Sequence, residues 1–370
     1  MVDYSCLLDF FKEVAPPFLS YDWDNSGSQV TFDKERIDKL LLGLDPAEDL
    51  IDYALQKNAD LVVTHHPLLF NPLKEIDIRS PLGSKIYKLL KNEVGLYSIH
   101  TNFDRSERGL SEALASYLDL KSREPIDPVP EANFYKVVVF LPPESEAEMK
   151  QALFDIGAGD ADLYSEVSFV SRGVESFKPL EGADPYIGKI GKRCEKEELR
   201  LEIQVQKDKL KAVEDIIESR HPYEEPAYDI LRTEKINKKV GLGRIGKWEK
   251  PKKLEETVYF IREELKLADS GLEVFGDPEA TISKVAVSPG SGGGVLDKVL
   301  SSPIDLFVTG ELDYHERQAL LERGAALVEL GHRNSEKIFS PWLRDLISES
   351  FSKEELEILL FEEDTVARGN

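Results

Sequence analysis

Cysteine is nearly absent from this 370-residue chain, where Cys6 and Cys194 are the only two. Two thiols cannot build the disulfide framework that staples small secreted folds, so the core must rest on apolar burial, for which 41% hydrophobic residues over this length suffice. Also missing is any apolar run near the roughly 20 residues a bilayer helix needs, which excludes membrane-spanning helices. Positive charge is short: 47 Lys and Arg face 70 Asp and Glu, a net charge of −23. A duplex would meet a repulsive average field, so nucleic acid is not expected as a partner. The opening residues MVDYSCLLDFFKEVAPPF lack the basic start and small-residue cleavage site of a secretory signal, and a reducing cytoplasmic setting is expected. Neither low-complexity tracts nor solenoid-period repeats occur.

What is present is a steady alternation of apolar runs and helical patterns. From Arg36 to Leu118, KLLLGLD, DLVVTHH and VGLYSIH read as strands, with helices over PAEDLIDYALQKNA, PLGSKIYKLLKNE and RGLSEALASYL. The rhythm resumes late in the chain, with strands KVAVSPG, IDLFVTG and ALVELG and helices GVLDKVL, HERQALLERG and EKIFSPWLRDLISE. This order predicts an α/β fold with a parallel sheet, the two chain ends forming halves of one layer in a discontinuous three-layer α/β domain of residues 1–124 and 234–370. Between them the texture changes. A strand FYKVVVFLP, a helix SEAEMKQALFDIG, strands LYSEVSFVSR, DPYIGKIGKR and ELRLEIQVQK, a helix LKAVEDIIESR and a strand PAYDILR predict a ferredoxin-like α+β domain inserted at 125–233, entered through Pro125, Pro128 and Pro130.

Histidine is scarce as well, and the placing of the six is informative. His65 and His66 fall where one strand ends, with Pro67 holding His66 extended. His100 ends the next strand and Asp104 follows in HTNFD. VTGELDYHE brings Glu311, Asp313 and His315 after a later strand, and ELGHRNSEK sets His332 and Glu336 four residues apart, a spacing that lets both face one point if a helix starts there. Open parallel sheets bind ligands beyond the carboxyl ends of their strands. Imidazoles mixed with hard carboxylates suit zinc, iron(II), manganese or cobalt. His65, His66, Asp104, His332 and Glu336 exceed one tetrahedral zinc site and fit better with two ions sharing a bridging carboxylate, an arrangement that activates water for hydrolysis. A single histidine at a strand end is more often a cap or surface group, and His221 in HPYEEPAY, remote from the others in sequence, is read as structural or interfacial.

The segments VTHHPLLF, SIHTNFD, VTGELDYHE and GHRNSEK, with the early WDNSGSQV, together resemble the Nif-three-like family, also called GTP cyclohydrolase I type 2 homologues, over nearly the whole chain. GVESFKPLEGADPYIGKIG and HPYEEPAYDI resemble the CutA- or PII-like insertion of its longer bacterial members. The resemblance implies a dinuclear metal centre at His65, His66, Asp104, His332 and Glu336, with Glu336 as the bridge, inside a toroidal homohexamer. It also implies that His100 and His315 lie near the metals as supporting or proton-moving groups. The chain departs from the family pattern at Ser28, Arg333 and Glu311, and at Gly173 to Phe177, where a glycine-rich GTGTF has become GVESF. None removes a proposed ligand, though Arg333 beside His332 bears on substrate selection.

Other motifs carry less. GLGRIG (Gly241 to Gly246) has dinucleotide-loop spacing, but KWEKPKK follows it, and it is read as a glycine-bearing strand or turn. SPGSGGGVLDKVL ends a strand and opens a helix, where free amides attract anions, but it lacks the GKT or GKS of a P-loop and is read first as a tight turn. Asp24 and Asn25 in WDNSG could reach toward the site or cap a turn. The expected function is that of a cytoplasmic hydrolase with two divalent ions, zinc, iron or manganese, acting on a small nucleotide-like or phosphorylated substrate. The alternative is a ring-shaped metal-handling or regulatory protein whose inserted module senses a small ligand.

Overall fold

The computed structural model of the chain describes residues 1–130, 134–160, 164–233, 236–268, 271–353 and 355–361. It is a mixed α/β structure in two compact units, one of Met1–Val129 with Asn237–Asn370 and one of Pro130–Ile236. Residue 234, where the second domain boundary was expected, lies outside the described residues.

The first unit holds two large sheets. One has five strands in the order Glu357–Leu360, Lys39–Gly43, Leu61–Thr64, Gly95–Ser98 and Gly27–Val30, parallel except for the last pair. The other has six, in the order Glu273–Phe275, Ala326–Glu329, Leu306–Glu311, Thr281–Ser291, Ile236–Lys253 and Lys121–Pro130, with the second, third and fourth mutually parallel. The central strands are buried on both faces, as parallel strands covered by helices must be. Their side chains divide by period two. Leu40, Leu42, Leu61 and Val63 of the first sheet, and Val285, Val287, Leu306 and Val308 of the second, share one core with Leu7, Phe11, Leu114, Ile261 and Leu343 from helices. The opposite faces, Leu41 with Val62 and Ala286 with Phe307, pack on other helices.

The expectation of one sheet split between the chain ends is therefore corrected. There are two sheets, each built mainly from one end of the chain with a strand lent by the other, Glu357–Leu360 in the first and Lys121–Pro130 in the second; helices lie between the two, and each sheet carries further helices outside. Alternation in a sequence shows which segments are strands but not which strands pair. The helix starts and stops follow local chemistry: Ser80 Oγ accepts from the Gly83 N–H (3.0 Å) ahead of Pro81, and Asn58 ends Glu48–Lys57 in the left-handed region at φ 53°.

The second unit runs strand Phe134–Leu141, helix Glu146–Asp155, strands Ser168–Phe177 and Cys194–Gln206, helix Leu210–Arg220 and strand Tyr228–Arg232. Its antiparallel sheet has the order Tyr228–Arg232, Phe134–Leu141, Cys194–Gln206, Ser168–Phe177. Val137, Val139, Leu201 and Ile203 pack with Met149, Leu153, Val213 and Ile217 of the helices. Of the segments expected here as strands, DPYIGKIGKR is a loop, with Gly188 and Gly191 at φ 102° and 78°, where strand geometry is lost. Leu163, at the start of the expected LYSEVSFVSR strand, lies outside the described residues.

Candidate metal centre

The carboxyl ends of strands from both sheets of the first unit deliver its polar groups to one place. His65 and His66 follow Leu61–Thr64 in a bend closed by the Thr64 hydroxyl, which donates to the His66 carbonyl at 2.7 Å. Adjacent residues on a strand point apart, but this bend lies past the strand, and both rings turn toward Glu336. His66 Nε2 lies 3.3 Å from Glu336 Oε2 and His65 Nε2 lies 3.8 Å from Oε1. Glu336 comes from the short helix His332–Glu336 after Ala326–Glu329, and one helical turn brings His332 Nε2 to 3.3 Å from its Oε1. Asp104 ends the helix Thr101–Asp104, its Oδ1 3.6 Å from His65 Nε2. The His100 ring packs edge-on to His65 and His66, with centroids 5.3 and 5.5 Å apart.

Each of these four histidines is anchored through Nδ1. His65 donates to the Ile99 carbonyl (2.8 Å), His66 to Asp45 (2.7 Å), His100 to Asp24 (2.7 Å) and His332 to Glu311 (3.0 Å). An N–H committed to an acceptor fixes the tautomer and leaves the Nε2 lone pair free, the outer support that metal-binding imidazoles use. The opposed pulls of burial and charge show in the titration of the ion-free centre. Burial works against charge on His66, yet Asp45 and Glu336 overcome it and raise its pKa to about 10. Glu336 itself lifts His332 to about 9, against burial and with help from Glu311. For Glu336, burial is outweighed by His332, His65 and His66, which hold it well below the usual carboxylate range. Burial prevails at Asp104, whose pKa rises despite His65.

Among the described residues His65 Nε2, Asp104 Oδ1 and Glu336 Oε2 are buried without hydrogen-bond partners, although buried polar groups are normally paired. Two overlapping groups, His65 with His66 and His100, and His66 with His332 and Glu336, each place ligand atoms within 4.8 Å of one another. Imidazoles and carboxylates, with His65 and Glu336 buried and His66, Asp104 and His332 partly so, form a donor set that fits a divalent transition ion.

Six of the seven site residues expected from the sequence thus come together, with Asp104 reaching the cluster through His65. His315 does not join them. It is exposed on the first turn of Tyr314–Glu322, edge-on to Tyr314, and belongs to neither group. Asp313 accepts from the Glu316 N–H as a helix cap. Sequence reasoning missed Asp45, whose only signal was its place at the end of KLLLGLD. It also missed Gly290, at φ +63°, where a Cβ would sit 2.5 Å from Glu336 Oε1, and Ser335, which receives the Gly290 N–H at 2.9 Å.

Fold and site together define a mixed α/β protein that gathers histidines and carboxylates able to hold a metal ion. The family model Duf34/NIF3 (NGG1p interacting factor 3) matches residues 2–366, and the chain belongs to that family. Curated relatives named GTP cyclohydrolase 1 type 2 homolog include one from Bacillus subtilis, 33% identical over 97% of this chain and 95% of its own. Another, from Halalkalibacterium halodurans, is 35% identical over 92% of this chain and 90% of its own. Among solved structures, a Bacillus cereus protein related to NIF3 is 30% identical, with TM-score 0.77 over 98% of both chains. A Staphylococcus aureus protein shares the fold, at 22% identity and TM-score 0.81 over 100% of this chain and 99% of that one.

Proposed function

We propose that the first unit holds two divalent ions between His65, His66, Asp104, His332 and Glu336, with Glu336 shared, and hydrolyses a small nucleotide-like or phosphorylated molecule. The observation that carries this reading is the convergence of three buried atoms without hydrogen-bond partners among the described residues, His65 Nε2, Asp104 Oδ1 and Glu336 Oε2. Divalent ions at such a centre supply Lewis acidity and make water nucleophilic at neutral pH. Asp45, Glu311 and the Ile99 carbonyl hold the imidazoles in register through their Nδ1 atoms. His100, held by Asp24, is the group placed to receive or return a proton at Nε2. Trp23 and Phe70 flank it at 6.1 and 6.5 Å and give that side an apolar wall.

The strand order of the second unit supports its reading as an inserted CutA- or PII-like module, and a toroidal homohexamer in the cytoplasm belongs to the same proposal. Among the described residues no helix is long and apolar enough to cross a membrane. The test is a single-turnover assay of protein loaded with zinc, iron(II) or manganese against GTP and a panel of phosphoesters. Product from at least one compound, lost in Glu336→Ala, is expected. No product from a fully loaded centre would leave the alternative, a metal-handling or regulatory protein.

A further inference from the structure

Beside the candidate centre the first unit holds two aromatic side chains in the open. Trp23 is 58% exposed and Phe70 48%, and the two rings meet at an angle of 39° with centroids 5.9 Å apart. They line a cavity of 440 Å³ together with Asp22, Asp24, Asn71 and Leu73. Three of these residues also touch His100: Asp24 accepts from its Nδ1 (2.7 Å), and the Trp23 and Phe70 rings stand edge-on to it at 6.1 and 6.5 Å. The cavity and the proton-moving group of the proposed reaction thus share a wall.

The local chain fixes this corner before anything binds. Trp23 stacks on Tyr21, with centroids 5.5 Å apart and 9° between the planes, and the Arg105 guanidinium lies 4.3 Å from the Tyr21 centroid. Arg105 in turn donates to the Leu19 carbonyl (2.7 Å), and the Tyr21 N–H donates to Thr101 Oγ1 (3.2 Å). The loop bearing Phe70 is tied to the loop bearing Trp23: Asn25 Nδ2 donates to the Leu69 carbonyl, and the Leu69 N–H donates to Gln29 Oε1 (2.9 Å). Apolar surface held rigid and open beside convergent polar groups is the character of a ligand site, and a preorganised one loses little entropy on binding.

What the cavity accepts follows from what lines it. Its lining holds two carboxylates, Asp22 and Asp24, and neither lysine nor arginine, so a phosphate group would be repelled there. Asp24 is moreover committed to His100, to the Thr101 N–H (3.2 Å) and to the Ser26 hydroxyl (2.7 Å). A flat ring uses the Trp23 and Phe70 faces as an aliphatic chain cannot, and Asp22 and Asn71 at the exposed rim meet the polar groups of its edge. Resting on the reading of the centre as a hydrolase, we infer that the substrate carries a planar heteroaromatic ring of nucleobase type, which stacks on Trp23 beside Phe70 while its reacting group lies toward His100. Trp23 is then the residue that separates ring-bearing substrates from simple phosphoesters.

Of the three tryptophans, Trp248 is buried and Trp342 half-buried, so Trp23 is the indole most open to a ligand. Titration of the purified full chain with GMP and AMP, read by tryptophan fluorescence and by calorimetry, tests the inference, with ribose 5-phosphate as the ringless control. Saturable quenching by at least one nucleotide, and none by ribose 5-phosphate, is expected. Trp23→Phe should abolish the quench and keep affinity within about threefold, whereas Trp23→Ala should weaken binding about tenfold or more at an unchanged melting temperature. Phe70→Ala should weaken it about threefold. Absence of quenching by both nucleotides, or Trp23→Ala binding them as tightly as the unaltered chain, would overturn the inference. So would fluorescence that responds to dilution in place of nucleotide, which would assign Trp23 to contact between two copies of the chain. Turnover measured on the same samples separates the two failures: product formed equally well by Trp23→Ala sinks this subsite alone, whereas stacking without product from any compound sinks the hydrolase reading.

Discussion

At the scale of single residues, the centre depends on anchors as much as on ligands. Asp45 is one hydrogen bond removed from any ion, yet it fixes the tautomer of His66. Asp45→Asn is expected to weaken metal affinity by about 10- to 100-fold, as loss of such outer support does, measured by competition with a chromogenic chelator. Unchanged affinity would show that the His66 ring needs no such support. The same residues set the pH response of the ion-free protein. His66 and His332 hold protons up to about 10 and about 9 rather than the ordinary 6.5, so their contribution to stability is complete below pH 6.5 and fades as pH climbs through those values. Glu336, held below its ordinary 4.5, contributes in full above that pH and less in acid. The melting temperature of chelator-treated protein should therefore peak between pH 4.5 and 6.5 and decline toward pH 10. A rise over the alkaline range would contradict the assignment. The residues that cluster, His65, His66, Asp104, His332 and Glu336, were legible in the sequence, because strand ends and an i, i+4 pair can be read from spacing. Asp24 was legible only as an alternative to a cap, and Asp45 and Glu311 were not legible as anchors, because a partner many residues away leaves no local pattern.

At the scale of elements, the two glycine-bearing motifs have structural explanations. Gly290 of SPGSGGG lets the chain pass Glu336 closely in a left-handed conformation. Gly290→Ala should cost about 1–2 kcal/mol from the backbone alone and displace Glu336, seen as lowered stability together with lost metal. Retention of both would remove the close approach from the account. In GLGRIG, Arg244 is 2% exposed and donates to the carbonyls of Gly241 (2.7 Å), Gly243 (2.8 Å) and Ser106 (2.7 Å), with Nε on Glu112 (2.9 Å). The Gly241 N–H donates to the Arg105 carbonyl (2.7 Å), so this strand clamps the loop that follows Asp104. Arg244→Met should destabilise the first unit by about 1–3 kcal/mol or more, since it leaves the Gly241, Gly243 and Ser106 carbonyls without their donor while Glu112 keeps Arg123 (2.7 Å), as denaturant unfolding would report. The sequence supported a glycine-bearing strand here. It could not reveal the clamp, because those contacts bridge more than a hundred residues.

At the scale of the whole molecule, strands and helices were readable from periodicity, whereas their division into two sheets was not. Which strands pair depends on core contacts among Leu40, Val63, Val287 and Val308, and every one of these positions would look the same in a single sheet. Lys121–Pro130 and Ile236–Lys253 are neighbours in the second sheet, so residues 130–236 leave and rejoin the first unit at adjacent strands. Replacing that stretch with a short turn should leave a folded protein that still binds metal, checked by calorimetry and elemental analysis. Loss of metal in a folded product would tie the centre to the second unit. The most direct test of the central claim is the number of metal atoms per chain in purified protein beside Glu336→Ala. The account predicts about two per chain, falling sharply in the variant, as expected for a site with a shared carboxylate. No metal in either protein, even after reconstitution with zinc, iron(II) or manganese, would contradict it and leave the clustered histidines with another role.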